Sequence, residues 1–188
     1  MRGEHPKINW NIFRIKFKHL MERIRIVNCL DTLNDCKNFT HVELYNAAHP
    51  SQEFDIYVNI LKGLQILRDW YGDKLTVTCT YTPNASFGYH RYAKAIDVTA
   101  TKKADKVKLI TNYNNEVLNY LSGKGSKVIE DLRQVGITGF GIEDTCIHFD
   151  IRGESVCNRR DKFGKYLVFR FRCHYEKGVM VIDENRAI

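Results

Sequence analysis

Apolar and polar positions alternate along the chain with two different periods. Phe54, Tyr57, Val58, Ile60, Leu61, Leu64, Leu67 and Trp70 recur at helical spacing, which predicts a helix over 51–71 with its apolar stripe in the core. Ser51, just after Pro50, is placed to cap that helix, and Gly72 to stop it. Residues 75–81 (LTVTCTY) alternate and are rich in β-branched side chains, so they predict a strand, broken by Pro83-Asn84-Ala85-Ser86. Residues 94–99 (KAIDVT) predict a short second strand. Helices are expected at 104–121 and 126–134, separated by Gly123 and Gly125 and closed by Gly136. Residues 137–142 and 145–151 read as paired strands around Glu143-Asp144, and 166–172 with 178–183 as a final hairpin through Glu176-Lys177. Helices mixed with antiparallel-looking strands in this order predict the α+β class.

Composition narrows the picture. The chain has 188 residues, 44% hydrophobic and 27% charged, enough for one domain with a buried core and unlike a disordered tail. No run of about 18 apolar residues occurs, so no membrane-spanning helix is expected. The 29 basic against 22 acidic side chains leave +7, which favours an anionic partner: nucleic acid, an acidic wall polymer or a membrane surface. Residues 7–26 interleave Lys7, Arg14, Lys16, Lys18, Arg23 and Arg25 with Trp10, Ile12, Phe13, Ile15, Phe17, Leu20 and Ile24. They read as an edge element with a solvated charged face, or else as a patch for an anionic polymer. Charge interrupts every apolar stretch there, so a secretory signal peptide is not expected. The expected origin is a cytoplasm, with export, if any, by another route. The six cysteines, Cys29, Cys36, Cys79, Cys146, Cys157 and Cys173, form no C-x-x-C pair and read as mostly free, buried thiols.

Strand 145–151 points Thr145, Ile147, Phe149 and Ile151 to one face, and Cys146, His148 and Asp150 to the other. In GYHRYAKAIDV, Ala93, Ala95 and Asp97 share a face, with His90 in the turn before them. The two alanines leave space for the His90 imidazole to reach the Asp97 carboxylate. Taken singly, each of these side chains has an ordinary role: a turn histidine, a strand-end carboxylate, a half-buried sheet residue. Together, two imidazoles and one carboxylate with a fourth position left to water are a catalytic zinc arrangement. Such an ion acidifies its water into a nucleophile at neutral pH.

His90, six intervening residues and Asp97, followed by GFGIEDTCIHFDIRG (139–153), resemble the two signatures of the zinc D,D-carboxypeptidase, L-alanyl-D-glutamate endolysin and hedgehog-type peptidase family. LKGLQILRDWYG followed by LTVTCTY is similar to the helix and strand that precede the first signature. The resemblance spans roughly residues 39–153. It implies a zinc peptidase-like domain there: a small hedgehog/D,D-peptidase-like fold, an antiparallel sheet with flanking helices and the metal on one sheet face. Residues 1–38 would be a basic N-terminal extension, and 154–188 a C-terminal β-hairpin extension packed on the same domain. By position, His90, Asp97 and His148 would hold zinc, and the reaction would hydrolyse peptide bonds in peptidoglycan peptide stems. Asp150 would orient a ligand imidazole. Thr82 stands where relatives carry an arginine for a substrate carboxylate, which leaves Arg91 and Arg152 as candidates. Thr145 stands where several relatives carry the base, which leaves Glu143 or Asp144. Gly88 and Ala93 replace a serine and a glycine of the pattern.

Three functions follow. The first is a monomeric endolysin-like enzyme of phage or viral type, acting at the bacterial cell wall. The second is a non-catalytic metal-binding or interaction module on the same fold. The third is a nucleic-acid-binding protein, suggested by the net charge and by aromatics among basic residues in 7–26 and 166–172, although no nucleic-acid motif occurs.

Overall fold

The computed structural model describes residues 22–85, 88–142 and 145–151, with Ile142 as backbone only, and the backbone of strands within 156–183. In chain order the elements are β1 (Arg23–Ile26), β2 (Thr32–Leu33), β3 (Cys36–Thr40), α1 (His41–Asn46), β4 (Phe54–Tyr57), α2 (Val58–Tyr71), β5 (Leu75–Cys79) and β6 (Ala95–Ala100). There follow α3 (Lys106–Leu121), α4 (Lys127–Gln134), β7 (Gly139–Ile142), β8 (Ile147–Asp150), β9 (Val156–Arg160), β10 (Tyr166–Arg170), β11 (Arg172–Glu176) and β12 (Val179–Asp183). The class is α+β. The main sheet runs β10-β9-β7-β8-β6-β5, antiparallel except for the parallel pair β7 and β9.

One buried cluster joins the helices to this sheet. Leu61, Leu64 and Leu67 of α2 and Leu109 and Tyr113 of α3 pack with Ile96 and Val98 of β6 and Ile147 and Phe149 of β8. Residues 22–38, outside the resemblance, add Ile26, Leu33 and Cys36 to the same cluster. Gly63 lets α2 approach β8 closely. A Cβ built there would lie 2.9 Å from Phe149 Cε2 and 3.1 Å from Ile137 Cγ1.

Two expectations are corrected. The helix expected over 51–71 begins only at Val58, because Phe54–Tyr57 is a strand. Phe54 and Ile56 point inward while Asp55 points out, a period of two, and the segment pairs with β1 from Arg23↔Tyr57 to Ile26↔Phe54. Asp55 meets Arg25 across the pair at 3.3 Å. Ser51 caps no helix; its hydroxyl donates to the Asn46 carbonyl. Gly72 does end α2, at φ +78°, a left-handed conformation that costs glycine little.

The second correction concerns the C-terminal strands. Residues 166–170 pair with 156–160, and 172–176 with 179–183, so two hairpins replace the one expected. Each hairpin joins consecutive strands, across residues 161–165 in the first and 177–178 in the second. Of the cysteine expectation, Cys29, Cys36 and Cys79 are free thiols, of which only Cys36 is fully buried; Cys146 is part-buried, and the side chains of Cys157 and Cys173 lie outside the described residues.

Candidate metal centre

The site is a row across the sheet. Asp97 of β6 is the register partner of His148 on β8 and of Cys79 on β5. Directly opposite residues present their side chains on the same face, so the three line up. Behind the row, Ile147 and Phe149 are fully buried on the other face of β8, as the alternation of that strand predicts.

His90 arrives from a 3-10 turn, Tyr89–Tyr92, just before β6. The turn closes at Ala93, whose φ of +52° bends the chain so that the imidazole folds back over the strand. His90 Nε2 lies 3.3 Å from Asp97 Oδ1, and His148 Nδ1 lies 2.7 Å from the same oxygen. The two rings meet edge to face, 5.3 Å between centroids.

The outer nitrogens decide what the inner ones can do. His90 Nδ1 is 3.2 Å from the Thr80 carbonyl, which only accepts, so Nδ1 carries the hydrogen. His148 lies between two carboxylates that only accept, Nε2 2.9 Å from Asp150 Oδ2 and Nδ1 2.7 Å from Asp97 Oδ1, so both of its nitrogens donate when the ring is charged. In the neutral His90 ring, the lone pair is then on Nε2, facing Asp97. An acceptor behind a histidine, fixing its tautomer and aim, is the usual outer support of a metal-binding imidazole. Asp150 is fully buried, and the Tyr113 hydroxyl donates to the His148 carbonyl at 3.4 Å, so the support is itself anchored in the core.

Charge is balanced by protons in the metal-free state. Burial pulls the His90 imidazole down, but hydrogen bonds to Asp97 and Cys79 outweigh it and push the pKa up to about 10. Burial also opposes the charge on His148, and its bonds to Asp150 and Asp97 push it up to about 9. Burial pushes the Asp97 carboxyl up, yet the two imidazoles hold it well below the usual carboxylate range. A divalent ion held by these rings would displace protons from them. Among the described residues, Cys79, His90 and Asp97 form a group that could hold a metal ion, with donor atoms all within 4.8 Å of one another.

Of the residues singled out from the sequence, His90, Asp97, His148 and Asp150 are brought together. Arg91 is not. It stacks on Tyr92 at 5.0 Å and lines a groove of about 410 Å³ with Arg23, Arg25, Tyr57 and Lys94, which none of the four lines. Glu143, Asp144 and Arg152 lie outside the described residues. Cys146 remains part-buried just before β8 and outside the donor group.

Sequence reasoning missed Cys79. The register shifts between Val77 and Cys79: Val77 pairs with Val98, yet Cys79, two residues on, pairs with Asp97, one residue on. Regular pairing would put Thr78 opposite Asp97. The bulge swings Cys79 into that place, as bulges beside functional sites do. Compared with known protein families, characterised proteins and solved structures, the chain matches none.

Proposed function

We propose that the chain is a zinc-dependent peptidase that hydrolyses peptide bonds of bacterial peptidoglycan, an endolysin-like activity. The observation that supports this most is the pair of imidazoles held from behind by Thr80 and Asp150, with both inner nitrogens aimed at Asp97. His90, Asp97 and His148 are the proposed ligands, a nitrogen and oxygen set that suits zinc. When bound there, the ion supplies Lewis acidity to a substrate carbonyl and to water. The chain's own residues do the rest. Thr80 holds the His90 ring in one tautomer, and Asp150 orients the His148 ring. Glu143 or Asp144 is the proposed base that takes a proton from water and returns it to the leaving amine. Arg152 is a candidate for a substrate carboxylate. The cationic groove that Arg91 shares with Arg23 and Lys94 suits an acidic peptide stem.

The test is turbidity loss of purified bacterial walls by the zinc-loaded chain, repeated with His148→Ala. Lysis that disappears in the variant supports the reading; no lysis, or lysis that the variant keeps, overturns it. A second reading, a metal-binding module without catalysis, is favoured by Thr82 and Thr145, which stand where the resemblance expects a carboxylate-binding arginine and a base. One equivalent of zinc with no hydrolysis of any peptidoglycan fragment would select it.

A further inference from the structure

The geometry points to Cys79 as a thiolate ligand of this centre, which makes it a sulfur-containing site selective for zinc-like ions. The inference rests on the metal-centre reading above and adds a residue to it. Three observations carry it. Cys79 reaches the row only because of the bulge in β5, which replaces Thr78 by Cys79 opposite Asp97. Its sulfur belongs to the compact donor group with His90 and Asp97. The Thr82 hydroxyl lies 3.5 Å from that sulfur, a polar neighbour suited to a thiolate.

The chemistry of the group sets the kind of ion. Thiolate, imidazole and carboxylate together suit zinc or cobalt, whereas magnesium and calcium prefer oxygen donors alone. On binding, the thiol gives up its proton to solvent and the sulfur electron pair forms the bond to the ion. His148 stands outside this compact group, with its Nδ1 2.7 Å from the Asp97 oxygen.

The test uses the full chain loaded with cobalt(II). Wild type is expected to show the near-ultraviolet sulfur-to-cobalt charge-transfer band, Cys146→Ser to keep it, and Cys79→Ser to lose it. Cys79→Ser should also bind zinc at least about tenfold more weakly, since even outer partners of ligands are worth about that much. X-ray absorption on zinc-loaded wild type, which needs no variant to fold, should find one sulfur at about 2.3 Å. Metal bound at one equivalent with only nitrogen and oxygen neighbours, or a band that survives Cys79→Ser, would overturn the inference and leave the His90 and Asp97 site standing. No stoichiometric metal in wild type would overturn both.

Discussion

Gly63→Ala separates the close approach of α2 to β8 from ordinary helix behaviour. Gly63 is buried within α2, where alanine is favoured over glycine by about 1 kcal/mol through backbone entropy. Here the added methyl would stand 2.9 Å from Phe149 Cε2, and 3.1 and 3.2 Å from two carbons of Ile137. Carbon pairs are at their best near 3.5–4.0 Å, so the nearest contact is short by several tenths of an ångström. Phe149 and Ile137 are both fully buried, so neither can retreat into solvent. Overpacking of this kind costs about 1–3 kcal/mol, which exceeds the helix gain and leaves a net loss of about 1 kcal/mol. At this chain length that is about 2–4 °C in Tm. Phe149 is flanked in β8 by His148 and Asp150, so the same shift should also weaken metal binding. Thermal unfolding followed by circular dichroism, with a chelator present, reads the first effect. A variant more stable than wild type would refute the packing of α2 against β8.

His148→Ala takes from the fully buried Asp150 its imidazole partner, and should cost about 3 kcal/mol as a broken buried pair does. Urea unfolding should show a lower midpoint at unchanged slope, and a midpoint within error of wild type would contradict the pairing. The metal-free protein should lose stability at both ends of the pH range. His90 and His148 are raised to about 10 and about 9, so their contribution is full below the unfolded value of about 6.5 and disappears as pH rises through 9 and 10. Asp97 is lowered, so its contribution is present above the ordinary carboxylate range and disappears as pH falls below it. Urea midpoints measured from pH 6 to 10 on wild type and Asp97→Asn check the alkaline limb; equal slopes in the two proteins would count against the cluster.

Much of the fold can be read from short-range pattern. The stripe from Val58 to Trp70 and the stop at Gly72 define α2 because both depend on local spacing and backbone freedom. Ser126 caps α4 by accepting from the Ile129 amide, again a local signal. The alternation of Ile147 and Phe149 with His148 and Asp150 needed only the pleat. What stayed hidden depends on partners distant in sequence. Phe54 and Ile56 fit a strand, but next to a long helical stripe that period shows only once β1 is alongside. The four C-terminal strands carry strand propensity without saying which pairs with which. Cys79 was concealed for a sharper reason: strict alternation places it with Leu75 and Val77 toward the core, and only the bulge turns it to Asp97.

One divalent ion is proposed to sit among the side chains around Asp97. Elemental analysis of the purified full chain after exposure to zinc and removal of free metal tests it most directly, with Asp97→Ala in parallel. About one zinc per chain is expected in wild type and almost none in the variant, because Asp97 is the carboxylate that both imidazoles face. A wild-type chain without stoichiometric zinc, or a variant that retains it, would rule out a metal centre at Asp97.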